Sequence, residues 1–135
     1  TAVDFINDIS VISAEKVDCD LGMLFLQLCS GLCQYPEMFG FTGCNVENAA
    51  YPLGNCAERT ALFKAYSEGI GKDDIVAMSI AGATDTPISP CGACRQVMAE
   101  LLNSDTPVYL TNLKGDVKKM TVKELLPYSF SGDDL

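Results

Sequence analysis

Two short stretches concentrate the side chains able to do metal or redox chemistry. They are Asn55-Cys56-Ala57-Glu58-Arg59 and Pro90-Cys91-Gly92-Ala93-Cys94-Arg95. Cys91 and Cys94 are three positions apart, so on a helical turn both thiols face one side. The chain has seven cysteines and no histidine. The lack of histidine removes Ser-His-Asp and Cys-His nucleophiles and histidine general bases. Any proton carrier must then be a carboxylate, Lys, Tyr or Cys, and any soft-metal site must be built from cysteine. Thiolates of Cys56, Cys91 and Cys94 would hold Zn²⁺ and leave one tetrahedral position open for water, the arrangement of catalytic rather than structural zinc. Glu58, two residues after Cys56, sets a carboxylate beside the metal without spending it as a ligand. It is placed to take a proton from water and return it elsewhere. The excess negative charge of three thiolates would be offset by two helix N-termini, with Arg59 and Arg95 adding charge compensation.

Other readings of the same residues stay open at this stage. Cys91 and Cys94 alone fit a thioredoxin-like dithiol at a helix start. Glu58, three residues after Asn55, fits the second half of a capping box. A structural zinc site would need a fourth protein ligand, such as Cys44, and would give Glu58 no role. Cys19, Cys29, Cys33 and Cys44 are read as free thiols, with Cys29 and Cys33 lying in an apolar run.

The elements that must position these residues follow from local signals. Asn55 reads as the N-cap of a helix from Cys56 to about Ser67, with Leu62, Ala65 and Tyr66 on its apolar face. Asp74–Ala83 reads as a buried strand. Ser89 as N-cap and Pro90 at the first helical position open a second helix to about Leu102, with Val97, Met98, Leu101 and Leu102 as its apolar side. Pro107–Asn112 and Val117–Met120 read as strands joined through a turn at Gly115-Asp116. Thr121 and Glu124 form a capping box for a short helix that stops before Pro127. This alternation gives an α/β domain with helices layered on a sheet. Asp4–Val11 and Met23–Leu28 fit helix or strand equally.

The 135 residues suit a single domain spanning 1–135. Eighteen acids against nine bases give a formal net charge of −9. That balance argues against nucleic acid as a partner, because phosphate binding needs a basic face. It fits a soluble protein acting on a small, uncharged molecule. An odd number of cysteines rules out a complete intrachain disulfide framework, and a reducing, cytoplasmic location is expected. The apolar run Leu21–Cys33 is too short to span a bilayer, and it is flanked by Asp18 and Asp20 rather than by basic residues. It is read as a core segment with no role at a membrane.

The stretches "GCNVENAAYPLGNCAERTALFKA" and "ISPCGACRQVMAELL" resemble the cytidine deaminases that act on free nucleosides. The likeness runs from about Thr42 to Leu135, and the closing "TVKELLPYSFSGDDL" resembles that family's last segment. The paired Cys-Ala-Glu and Pro-Cys-x-x-Cys motifs are highly specific. Deaminases of polynucleotides usually carry His-x-Glu at the first motif, where this chain has Cys56.

The resemblance implies Cys56, Cys91 and Cys94 as ligands of one Zn²⁺ per subunit and Glu58 as the general acid/base. Water activated at the metal would attack C4 of cytosine, turning cytidine and 2′-deoxycytidine into uridine and 2′-deoxyuridine with release of ammonia, a step of pyrimidine salvage. It further implies that Asn45 and Glu47 bind the ribose and that the backbone of Ala57 contacts the base. Arg59 would bond the ligand thiolates, Phe130 would reach into a neighbouring subunit's site, and Tyr51 would lie near subunit contacts. The implied fold is a three-layer helix–sheet–helix domain around a mixed five-stranded sheet, assembled as a homotetramer. A deaminase of blasticidin-like nucleoside antibiotics shares both cysteine motifs, but Asn45, Glu47 and Phe130 favour the plain nucleoside. Residues 1–41 do not match. The family's alanine-rich helix, its "PYS-x-F-x-VGAA" segment and its hairpin are missing there. The phenylalanine that stacks on the base therefore has no aligned counterpart, and Phe25, Phe39 and Phe41 are candidates only by position.

Overall fold

A computed structural model of the chain describes residues 9–14 and 40–135. The segments Leu21–Cys33 and Met23–Leu28, together with Phe25, Phe39, Cys19, Cys29 and Cys33, lie outside the described residues. The strands are β1 (Ile9–Ala14), β2 (Gly40–Cys44), β3 (Ile75–Gly82), β4 (Pro107–Asn112) and β5 (Val117–Thr121). The helices are α1 (Ala57–Ser67), α2 (Gly92–Leu101) and the single turn α3 (Val122–Leu125). Short 3-10 turns occupy Tyr51–Leu53 and Gly132–Asp134. Of the segment Asp4–Val11, which fitted helix or strand, residues 9–11 belong to strand β1, and the rest lies outside the described residues.

The strands are ordered β2-β1-β3-β4-β5. Every neighbouring pair is parallel except β4 and β5, so the protein is α/β with a mixed sheet. β3 is apolar almost throughout, "IVAMSIAG", as a parallel strand flanked on both sides requires. In register, Met78 faces Val108 and Ile80 faces Leu110 across β3 and β4. These four side chains, all buried, form one apolar surface together with Leu62, Met98 and Leu125 from the helices and Leu102 just past the end of α2. At about 25 cal/mol per Å² of apolar surface removed from water, this cluster is the main force holding the helices to the sheet. The outer strand β5 exposes Lys118 and Lys119, and an edge carrying charge resists pairing with another chain.

α1 packs against β2 and β1. Its closest approach is at Gly43, where a Cβ would lie 2.5 Å from the Ala61 nitrogen and 2.6 Å from the Ala57 oxygen. Only glycine lets helix and strand meet there, and that contact fixes the start of α1. At the far end of the sheet, Asn112 is fully buried and organises the β4–β5 turn. Its side-chain oxygen accepts from the Lys114 and Asp116 amides, and its Nδ2 donates to Asp116 Oδ2 at 2.8 Å.

Both helix starts differ by a residue or two from the sequence expectation. Asn55 is not the N-cap of α1. Its backbone exchanges two hydrogen bonds of 2.9 Å with Val46, which keeps it extended, and its amide donates to Thr60 Oγ1. Cys56 takes the cap position instead. Ser89 does not cap α2, and Pro90 lies outside the helix. The Ser89 hydroxyl accepts from Arg95, and Cys91 becomes the N-cap. Strands β3 and β4 and the Thr121–Glu124 capping box stand where the sequence placed them.

Candidate metal and catalytic centre

The two cysteine motifs meet at the adjacent starts of α1 and α2. Cys56 is the N-cap of the first, Cys91 is the N-cap of the second, and Cys94 lies in the first turn of the second. The sulfurs of Cys56, Cys91 and Cys94 all lie within 4.8 Å of one another. Cys56 and Cys91, 35 positions apart in sequence, bring their sulfurs to 3.9 Å. Cys94 is buried, Cys56 half-buried and Cys91 exposed, so the cluster opens to solvent on one side. Among the described residues no other cluster of this kind occurs, and Cys44 does not belong to it. Among the described residues, then, Cys44 does not supply the fourth ligand that a structural site would need.

The cluster's electrostatics suit a cation. The Cys94 amide donates to Cys91 Sγ at 3.5 Å, so a sulfur caps α2 at the positive end of its dipole. Burial pushes the Cys91 thiol up, but the amides of Cys94 and Ala93 and bonds from the other two thiols outweigh it, and its pKa is lowered. Cys94 goes the other way. Burial, then the nearby Glu58 carboxylate, then the neighbouring sulfurs raise its pKa. Glu58 is 2% exposed, a carboxylate held in the interior and near enough to Cys94 to raise its pKa. The Arg59 guanidinium donates to Cys56 Sγ at 3.7 Å, and that bond, opposed by partial burial, raises its own pKa. Three soft donors, a buried carboxylate beside them and a cation behind them fit a thiolate-bound zinc ion with a site left open.

Arg59 therefore touches a ligand sulfur, as expected. Arg95 does not. Its Nε donates to the Pro90 carbonyl at 2.9 Å, one terminal nitrogen to the Leu125 carbonyl at 2.8 Å, and the other to Ser89 Oγ. Each of its three nitrogens is thus engaged by an oxygen acceptor rather than by a sulfur. Asn45 and Ala57, both expected to meet substrate, meet each other, the Ala57 amide donating to Asn45 Oδ1 at 2.8 Å. Glu47 is exposed. Phe130 is 58% exposed while its carbonyl accepts from Gln96 at 2.9 Å. Phe41 is buried in the apolar core and is not placed to stack on a ligand. The Leu125 and Phe130 contacts of Arg95 and Gln96 were missed in the sequence, because each joins positions some thirty residues apart.

Fold and site together define an α/β protein with a cysteine-built metal centre on paired helix starts. Residues 37–110 match the family described as "Cytidine and deoxycytidylate deaminase zinc-binding region". The chain is 60% identical over 93 residues to the cytidine deaminase of Halalkalibacterium halodurans, covering 69% of each chain. It is 56% identical over 95 residues to that of Sporosarcina psychrophila, covering 70% of this chain and 68% of the relative. A crystal structure of cytidine deaminase from Burkholderia pseudomallei superposes with a TM-score of 0.65 at 53% identity, covering 67% of this chain and 71% of that one. The chain belongs to the cytidine deaminase family.

Proposed function

We propose that the protein is a zinc-dependent hydrolase that deaminates cytidine and 2′-deoxycytidine to uridine and 2′-deoxyuridine, releasing ammonia. The observation that carries this reading is the buried Glu58 carboxylate beside three converging sulfurs. Cys56, Cys91 and Cys94 would hold the ion. Zinc bound there supplies Lewis-acid activation of water near neutral pH. Glu58 accepts a proton from the attacking water and delivers it to N3 of the ring. The water oxygen bonds to C4, its remaining proton passes to the amino nitrogen, and the C4–N bond breaks as ammonia leaves and the C4 carbonyl forms, so cytidine and water become uridine and ammonia. Burial of Glu58 excludes bulk water and keeps the proton between carboxylate and substrate.

The base oxygen takes the Ala57 N–H from Asn45, whose side chain turns to a sugar hydroxyl. Glu47 accepts from a second hydroxyl. Arg59 draws charge from the Cys56 thiolate. The exposed Phe130 ring supports a homotetramer in which it enters a neighbour's site, with Tyr51, also exposed, near the contact. We read residues 1–135 as one catalytic domain, a helix–sheet–helix sandwich around a five-stranded mixed sheet. Free thiols at the metal site favour the reducing cytoplasm and a place in pyrimidine salvage. No described helix is long and apolar enough to cross a membrane.

Zinc content and cytidine deamination measured on one sample, for the unaltered protein and Glu58→Ala, test the mechanism. Glu58→Ala is expected to keep its zinc and to lose activity by several orders of magnitude. Full activity in that variant refutes the role of Glu58.

A further inference from the structure

The start of α2 supplies two of the three sulfurs, and although Cys94 is packed into the core, the residues just before it have little packing of their own. Cys91, Gly92 and Ala93 are exposed. A Cβ at Gly92 would meet nothing within 4 Å. The N-cap bond is a 3.5 Å contact to sulfur, a weak acceptor. A helix start of this kind should fray. Arg95 supplies what the turn lacks. Its guanidinium bonds Ser89 and Pro90, the two residues immediately before Cys91, and the carbonyl of Leu125 at the end of α3. Leu125 is 2% exposed and belongs to the apolar core, and Pro90 is buried.

We propose that Arg95 is a positioning residue for the metal site: it clamps the chain entering α2 to the core-anchored end of α3, so that Cys91 and Cys94 are held in ligand geometry. Arginine suits this task because its three nitrogens, fixed in one plane, reach three separated acceptors, whereas the three donors of an ammonium all spring from a single nitrogen. The bonds are charge-assisted and partly shielded from water, and so stronger than neutral ones. The inference rests on the three-cysteine ligand set and adds a residue that touches neither metal nor substrate.

The test compares metal-free unaltered protein with Arg95→Gln and Arg95→Lys. Zinc affinity is measured by competition with a chromophoric chelator, and ligand geometry by the thiolate and d–d absorption bands of bound Co²⁺. Arg95→Gln is expected to bind zinc about 10–100-fold more weakly and to shift or weaken the cobalt bands. Arg95→Lys is expected to restore only part of either. Affinity and bands unchanged in Arg95→Gln overturn the proposal. Should Arg95→Gln not fold, Ser89→Ala removes one acceptor alone. A few-fold loss of zinc affinity there supports the clamp, and no loss overturns it. An unaltered protein without a thiolate–cobalt band refutes the ligand set, and the clamp with it. Normal bands in the unaltered protein beside unchanged variants refute the clamp only.

Discussion

Tyr128 adopts φ 53° with its side chain fully exposed, so no packing offsets a left-handed backbone. For a residue with a Cβ that conformation costs about 1–2 kcal/mol. Glycine would avoid the cost but lose about 0.5–1 kcal/mol to the entropy of its freer unfolded chain. The first effect is larger, so Tyr128→Gly should stabilise the protein by about 0.5–1 kcal/mol, read as a higher midpoint in urea. At this scale the sequence was most legible in its chemistry. Cys56, Cys91 and Cys94 stand out by type and spacing, and the structure brings their sulfurs together. The contacts of Arg95 do not stand out, because nearness in sequence to Cys94 says nothing of which way a long side chain turns, and Leu125 is 30 positions away.

Among the elements, β2 and α1 depend on one another through Gly43. A Cβ there meets backbone atoms of Ala57 and Ala61, which cannot rotate aside. Gly43→Ala should therefore cost about 1–3 kcal/mol in chemical denaturation and displace the start of α1, weakening zinc binding as well. The capping box of α3 gives a pH-dependent prediction. Glu124 accepts from the Thr121 amide at 2.7 Å, and bonds to the Thr121 backbone and hydroxyl lower its pKa. Its stabilisation is thus present above the unfolded carboxylate value and is lost as pH falls through the folded one. Glu124→Gln should be less stable than the unaltered protein at neutral pH, and the two denaturation midpoints should converge in acid. The box was legible because it is local in sequence. The caps of α1 and α2 were not, since Asn55 is held by Val46 and Ser89 by Arg95.

For the whole molecule, the proposed homotetramer makes the active site a shared property. Phe130 presents an exposed ring on a backbone held by Gln96, as a residue serving a neighbour would. Phe130→Ala and Glu58→Ala subunits should each be strongly impaired alone. Co-assembled from differently tagged chains, they should regain activity, because a site formed by Glu58 of one subunit and Phe130 of the other is intact. A mixture as inactive as its parents would show that Phe130 serves its own subunit.

By itself the sequence determined the donor set of this protein and many of the elements from α1 onward. Donor types, the absence of histidine, three-residue spacing on a helix and the period of buried strands are local features, set by neighbours a few positions away. Only the tertiary structure decided how they converge. The 3.9 Å between the sulfurs of Cys56 and Cys91 depends on where two helices settle on one sheet, and Gly43 permits the close approach that fixes the first of them. The same packing turned Arg95 from the sulfurs toward Pro90 and Leu125. Such choices are made by contacts between residues distant in sequence, whose energies depend on all their neighbours at once, so no local pattern encodes them.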